Sequence, residues 1–362
     1  MHKVKRIAVI CNYQLKANRI GSMDRFFLAF DEACKKRGYT VDWFFPKSEQ
    51  LEIYNSVSVF SDDKSNIEGL FLNHIYSNKV EYDYVYTHFI ELFTSFYKTV
   101  KSELNCKVFA VDHMSRPLDG FPLKKRIKRK LKYLINNKSI DKIIAVSEYI
   151  KNQNLKDYSS NLENRTDVIY NGIQTELYQV REQEKRDNLV SYRFIVVSHL
   201  VYEKGIQDLI LALTKLNKTT LENITIDVFG EGIYKSTLTD LVHKYNLEST
   251  INFKGSVDNL YALYKAYDYM IQPTYMEAFS LSILESLCCN VPVITTTVGG
   301  NVEIVKDGTN GYLFKAKDVN ALQSIITQIC NDKISLLNNS FSSKIREQYA
   351  LKTMVDNYLK LV

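Results

Sequence analysis

Short apolar runs alternate with helix-length stretches along this chain, stop at one strongly charged segment, and then begin again. The first series comprises Arg6–Cys11, Tyr39–Phe45, Tyr82–His88, Lys107–Val111, Lys142–Ser147 and Asp167–Gly172. Asp24 to Arg37, between the first two runs, has helical character and closes at Gly38, a residue suited to the turn that ends a helix. Alternation of this kind predicts a parallel sheet covered by helices on both faces. From Gln179 to Val190 the chain becomes charged, with Arg181-Glu182-Gln183-Glu184-Lys185-Arg186-Asp187 at its centre, as a linker would be. A second series follows, with strands at Phe194–Ser198, Ile224–Phe229, Ile251–Phe253, Tyr269–Gln272 and Val293–Thr296, and helices at 205–216, 234–245, 260–266 and 281–289. A short exposed hairpin is expected near Gly311-Tyr312-Leu313-Phe314, and helices finish the chain.

The length supports two domains, because single cores stop growing at roughly 250–300 residues and this chain has 362. The expected fold class is α/β, with two Rossmann-like, doubly wound domains. Residues 1–186 would form the first and 187–340 the second, with 341–362 a terminal helix returning to the first. The six cysteines have no CxxC spacing, which argues for reduced thiols in a cytosolic compartment and against a disulfide framework or a zinc site. Vicinal Cys288-Cys289 reads as a pair of small buried helix residues. Neither a leader-like segment nor a run of about 18 apolar residues is visible, so a cytoplasmic protein is expected.

A net charge of +6 is too mild to imply a nucleic-acid partner, and its distribution says more than its size. Much of the excess falls in the stretch 123–135, Leu123-Lys124-Lys125-Arg126-Ile127-Lys128-Arg129-Lys130-Leu131-Lys132-Tyr133-Leu134-Ile135. Leu123, Ile127, Leu131, Leu134 and Ile135 recur at helical spacing, with cations over most of the remaining surface. Two readings stay open: a packed helix with a solvated basic face, or a helix lying on an anionic membrane surface.

In open parallel sheets, ligands bind beyond the carboxyl ends of the strands, where loops and helix N-termini point amides outward. The polar strand ends here are the loop 12–22, His113, Ser198–Lys204, Gly230–Gly232 and Pro273–Ser282. In the last of these, Pro273-Thr274-Tyr275-Met276-Glu277-Ala278-Phe279-Ser280-Leu281-Ser282 follows an apolar strand and opens a helix that contains Glu285. Eight helical residues advance about 12 Å, so these two carboxylates cannot form a close acid/base pair. They can instead grip different parts of one elongated ligand.

The stretch from Pro273 through Glu277, Glu285-Ser286-Leu287 and Val291-Pro292-Val293-Ile294 to Gly299-Gly300 resembles the signature of the retaining family-4 glycosyltransferases, which carry an E-x7-E motif. Ser198-His199-Leu200-Val201-Tyr202-Glu203-Lys204-Gly205 is similar to the family's G-R-L-x-x-x-K-G segment, and Val228-Phe229-Gly230-Glu231-Gly232 to its V-x-G-x-G turn. Phe253-Lys254-Gly255-Ser256-Val257, Ala145-Val146-Ser147 and Val168-Ile169-Tyr170-Asn171-Gly172-Ile173 fit as well. The resemblance implies the GT-B arrangement, two Rossmann-like domains facing across a cleft. It implies a hexose-type sugar moved from a nucleotide diphosphate sugar, UDP-linked, to a cell-surface glycan, glycolipid or lipid-linked acceptor.

The same resemblance implies roles for particular residues. Glu277 would reach sugar hydroxyls, and Glu285 would accept hydrogen bonds from a ribose diol. Lys204 would neutralise the departing diphosphate. The family has an Arg at the place of His199, and a neutral imidazole compensates charge less than a guanidinium does. Ala278, Phe279 and Ser280 form the turn after Glu277, where the family usually carries glycine at the first and third of these positions. Gly21, followed by Ser22, matches the glycine pair that meets the phosphates, and His113 matches a position near the reacting sugar. No cofactor and no metal are implied, and no DxD follows a strand. Retention would proceed by front-face attack, with the leaving phosphate oxygen taking the acceptor proton. The alternatives are a two-domain sugar-nucleotide epimerase, a phosphorylase of similar architecture, or a non-catalytic protein that binds membranes or nucleic acid through the basic helix.

Overall fold

The computed structural model describes residues 4–16, 20–47, 49, 52–63, 65–181 and 191–362. Most of the expected charged linker, 182–190, lies outside the described residues. The chain forms two compact units, Met1–Gly172 with Leu351–Val362, and Ile173–Ala350.

The first unit is built on strands β1 (Arg6–Cys11), β2 (Thr40–Pro46), β3 (Ser58–Asp62), β4 (Tyr84–His88), β5 (Lys107–Asp112), β6 (Lys142–Ala145) and β7 (Thr166–Val168). Its helices are α1 (Ser22–Lys36), α2 (Ile67–Asn78), α3 (Ser95–Glu103), α4 (Leu123–Asn136) and α5 (Glu148–Asp157). The strands are all parallel, in the order β3-β2-β1-β4-β5-β6-β7. Central strands such as Ile7–Cys11 are buried along their whole length, as strands covered on both faces must be.

The second unit begins with β8 (Tyr192–Val197), α6 (Ile206–Leu213), α7 (Lys218–Glu222) and β9 (Ile224–Phe229). It continues with α8 (Lys235–Lys244), β10 (Ile251–Gly255), α9 (Leu260–Leu263), β11 (Tyr269–Gln272), α10 (Leu281–Cys288) and β12 (Val293–Thr296). The helices α11 (Asn301–Ile304), α12 (Val319–Cys330) and α13 (Ser342–Gln348) and the strand β13 (Gly311–Phe314) complete it, and α14 (Leu351–Leu359) belongs to the first unit. Its sheet is also wholly parallel, in the order β10-β9-β8-β11-β12-β13. In both sheets the strand order reverses beside the first strand, between β1 and β4 and between β8 and β11. At such a point the loops above neighbouring strands turn to opposite faces and leave a crevice.

Two expectations need correction, and one strand went unanticipated. Gly311–Phe314 is no hairpin: it pairs in parallel with β12, with Val293 opposite Gly311. The polar stretch around Asp62 contains a strand, β3, paired to β2 at the sheet edge, where solvent on one side tolerates serine and aspartate. The units divide at 172/173 and at 350/351 rather than at 186/187 and 340/341. Backbone contacts explain the shift. The Ile173 N–H donates to the Tyr349 carbonyl at 2.9 Å, and Arg346 donates to the Thr175 carbonyl at 2.8 Å, so the second unit holds this segment well before the charged stretch. The helix α13 is held there too, since Ser342 Oγ donates to the Cys288 carbonyl. Only α14 lies in the first unit, with the Tyr358 ring packed at a tilt against Phe26 at 4.9 Å and the Tyr86 hydroxyl donating to the Tyr358 carbonyl.

The helix α4 is also oriented unexpectedly. Its inward side carries Arg129 and Tyr133, while its five apolar residues face solvent, from 50% exposed at Ile127 to 73% at Ile135. The helix is packed with a largely solvated basic face, but its packed side is formed by Arg129 and Tyr133 and not by its apolar residues. Cys288 and Cys289, at the end of α10, are fully buried free thiols. Among the described residues, no helix is long and apolar enough to cross a membrane.

Candidate functional site

In the second unit the reversal point places the loop after β8 beside the loop after β11, and these loops carry most of the candidate residues. Glycines let their backbones meet. Gly205, at φ +69°, sits so close to the next loop that a Cβ would lie 1.9 Å from the Pro273 carbonyl oxygen. Gly299, at φ +61°, approaches the Glu277 carbonyl in the same way, at 1.8 Å. Only glycine fits such approaches, so these two positions tie three strand ends into one frame. Hydrogen bonds complete it: the Tyr275 N–H donates to the Glu203 carbonyl at 2.7 Å, and Thr296 Oγ1 donates to the Thr274 carbonyl at 2.7 Å.

On this frame Lys204 Nζ lies 2.8 Å from Glu277 Oε2, with the two side chains 20% and 16% exposed. The other carboxylate oxygen of Glu277 accepts the Ala278 N–H at 3.2 Å. Partly shielded charges of opposite sign interact more strongly than the same pair in open solvent. An anionic ligand arriving here would compete for the ammonium and leave the carboxylate available to hydroxyl donors.

Glu277 precedes α10, and Ser280 caps that helix, its Oγ accepting the Ile283 N–H. The carboxamide of Gln272 donates to Ser280 Oγ at 2.9 Å, which fixes the cap to the strand end. Ala278 and Phe279 are buried, with the Phe279 ring against Tyr349 at 5.7 Å. Glu285 sits one turn inside α10 and accepts the Tyr264 hydroxyl at 2.8 Å. Burial, reinforced by the Glu285 carboxylate, holds the Tyr264 phenol well above its usual range, so it remains a donor. His199 is exposed in the loop after β8. That loop is braced from β9 by Gly230 and Gly232, whose Cβ positions would fall 1.9 Å and 2.2 Å from the Ser198 and Leu200 carbonyls.

The first unit carries the remaining two candidates at the carboxyl ends of its own sheet. His113 directly follows β5, and its Nε2 lies 3.0 Å from Nδ1 of His88, the last residue of β4. Burial pushes His113 down to about 4 and, aided by the neighbouring His113, holds His88 well below the ordinary histidine range. Both rings are therefore neutral near neutral pH, and one donates to the other, which couples their tautomers. Phe89 stacks on His113 at 4.2 Å from a backbone φ of +59°, a strained conformation for a bulky residue. The Gly21 N–H donates to Asp24 Oδ2 at 2.8 Å, so this amide is committed within the protein. Asp24 also accepts the Tyr13 and Tyr54 hydroxyls, and the Tyr13 ring stacks on Phe89 at 5.9 Å. Gly21 and His113 thus belong to one packed group.

Two residues of evident weight escaped the sequence: His88, which ends an apolar run like any strand residue, and Tyr264, in a stretch of ordinary amphipathic pattern. Their partners lie 25 and 21 positions away, and no short-range spacing marks either pair.

Residues 180–348 match the family model described as glycosyl transferases group 1, and residues 23–177 match the model for glycosyltransferase family 4. An uncharacterized glycosyltransferase of Methanocaldococcus jannaschii is 33% identical over 218 residues, 59% of this chain and 57% of the relative. The N-acetyl-alpha-D-glucosaminyl L-malate synthase of Bacillus anthracis is 28% identical over 227 residues, covering 60% of this chain and 58% of that enzyme. The matched stretches thus span somewhat more than half of either relative. Among solved structures, HepE of Anabaena in complex with UDP and glucose superimposes with a TM-score of 0.77 at 17% identity, over 99% of both chains. Two parallel sheets with reversed strand order, the loop pair carrying Lys204 and Glu277, and family models spanning residue 23 to residue 348 lead to one conclusion: this chain belongs to the group 1 glycosyltransferases and has the GT-B class of fold.

Proposed function

We propose that this protein transfers a hexose-type sugar from a nucleotide diphosphate sugar, UDP-linked, to a cell-surface glycan, glycolipid or lipid-linked acceptor, with retention of anomeric configuration. The observation that carries the proposal is the Lys204–Glu277 ion pair held by glycine contacts at the reversal point of the second sheet. The Anabaena structures in which HepE holds UDP, with glucose or as UDP-glucose, support the choice of donor class.

In this proposal the donor diphosphate draws Lys204 away from Glu277, and the freed carboxylate accepts hydrogen bonds from sugar hydroxyls. As the bond from the anomeric carbon to the phosphate oxygen breaks, negative charge builds on the diphosphate. Lys204, rather than a metal ion, meets that charge, with the N-terminus of α10 nearby in sequence to Glu277. The acceptor hydroxyl attacks from the same face, and its proton passes to the departing phosphate oxygen. Glu285 would hold the ribose diol, oriented by the Tyr264 hydroxyl. His113, kept neutral by burial, would contact the transferred sugar by hydrogen bonding rather than by charge.

The test is acceptor-dependent release of nucleoside diphosphate from a panel of nucleotide sugars, with product linkage determined by NMR. Wild-type protein should release UDP and form an α-linkage from an α-linked donor, and Glu277→Ala should abolish release. Undiminished turnover by Glu277→Ala would refute the assignment of this site, and conversion of the donor without an acceptor would identify an epimerase instead.

A further inference from the structure

The helix α4 turns its apolar side away from the protein. Arg129 and Tyr133 mark its inner side, and at about 100° per residue Leu123, Ile127, Leu131, Leu134 and Ile135 fall on the opposite side. Leu118, five residues ahead of the helix in sequence, is also 44% exposed. The inner side is anchored by charge. Arg129 is 1% exposed, lies 3.6 Å from Asp157, and packs its guanidinium over the rings of Tyr158 at 4.4 Å and Phe121 at 4.8 Å. Asp157 is shared with Arg116, equally buried, which also reaches Asp112 and Asn154. An arginine inside and leucines outside reverse the usual order, and the buried network holds the helix in that orientation.

The cations make the case specific. Leu123–Asn136 contains seven lysines and arginines and no acidic residue. Three of the cations, Lys124, Lys125 and Arg126, sit in the first turn, where the helix dipole is positive and disfavours them. Lys124 and Lys128, and Lys128 and Lys132, stand four residues apart as like-charge pairs, which destabilises a helix in water. Lys132 is paired with Glu91 and Arg129 with Asp157, but no such ion pair holds Lys124, Lys128 or Lys130 among the described residues, and a negatively charged planar surface would satisfy these three at once. Lys124, Lys128 and Lys130 are exposed and border the apolar residues, so headgroups would meet cations where acyl chains meet leucines.

We propose that α4 docks the protein on an anionic lipid bilayer, its apolar side entering the headgroup boundary and its flanking lysines engaging acidic headgroups. This rests on no assumption about the reaction, so a failed transfer assay and a failed vesicle assay are separate results.

The experiment is co-sedimentation of the full chain with phosphatidylcholine vesicles, with and without phosphatidylglycerol, at low and high salt. Wild-type protein should bind the phosphatidylglycerol vesicles, release as salt rises, and ignore pure phosphatidylcholine. Replacing Lys124, Lys128 and Lys130 together by glutamine should weaken binding about a hundredfold, at about a factor of five per cation. The double variant Leu131→Gln, Ile135→Gln keeps the charge and should weaken binding at least about tenfold. Both variants change exposed side chains, so their thermal midpoints should match wild type. Absence of wild-type binding, binding unchanged by both variants, or a dimer in sedimentation that the double variant dissolves would each overturn the proposal.

Discussion

Replacing Gly205 with alanine isolates the contact on which the Lys204–Glu277 pair rests. The substitution carries two costs. An L-residue at φ +69° is in the left-handed region, at about 1–2 kcal/mol. The new Cβ would also lie 1.9 Å from the Pro273 oxygen and 2.9 Å from its carbonyl carbon, so the two loops must part by more than an ångström. Forcing an extra carbon into packed surroundings adds about 1–3 kcal/mol. Gly308 is the matched control. Its φ is +67°, it lies in the same unit, and nothing stands within 4 Å of its Cβ position. Gly308→Ala therefore carries the conformational cost alone, and the entropy that alanine removes from the unfolded chain is common to both variants. Urea unfolding should place Gly205→Ala about 1–3 kcal/mol below Gly308→Ala. Isothermal titration with UDP should show weakened binding for Gly205→Ala, because Lys204 is its neighbour, and unchanged binding for Gly308→Ala. Equal stability of the two variants would refute the argument, since the loop would then yield without cost.

Acidity tests the histidine pair. His113 titrates at about 4 in the folded protein and near 6.5 when unfolded, so between these values the unfolded chain binds the extra proton. Stability should be complete above about pH 6.5 and fall by about 3 kcal/mol as the pH drops toward 4, with His88 adding to the slope. Urea midpoints from pH 7 to pH 4.5 measure this, and His113→Gln should flatten the profile; an unchanged slope would show that His113 does not contribute. The inner face of α4 gives a second contrast. Arg129→Ala removes a buried partner of Asp157 and two ring contacts and should destabilise by about 3 kcal/mol, whereas exposed Lys128→Gln should stay within about 0.5 kcal/mol. Thermal unfolding separates the two, and equal midpoints would show that Arg129 is not a structural residue.

Local pattern was enough to reveal the strand–helix alternation, its restart in a second sheet, and the loop bearing Glu277 at a strand end. Apolar runs and turn residues act over a few positions, and these features are encoded over that range. The Lys204–Glu277 pair was legible as two separate residues; that they touch depends on Gly205 and Gly299 bringing backbones together across 68 and 22 positions of sequence. The edge strands β3 and β13 were missed or misread because a polar or short segment becomes a strand only when a neighbouring strand supplies its hydrogen bonds. The boundary at Gly172 was invisible for a related reason: what binds Ile173 is Tyr349, far along the chain. For α4 the sequence by itself determined which residues share a side, since the helical period settles that. It could not say which side is inward. That depended on Asp157, Tyr158 and Phe121, which pair and stack with Arg129 and so make burial of a charge favourable while the leucines face out. Tertiary partners, rather than hydrophobicity, oriented this helix.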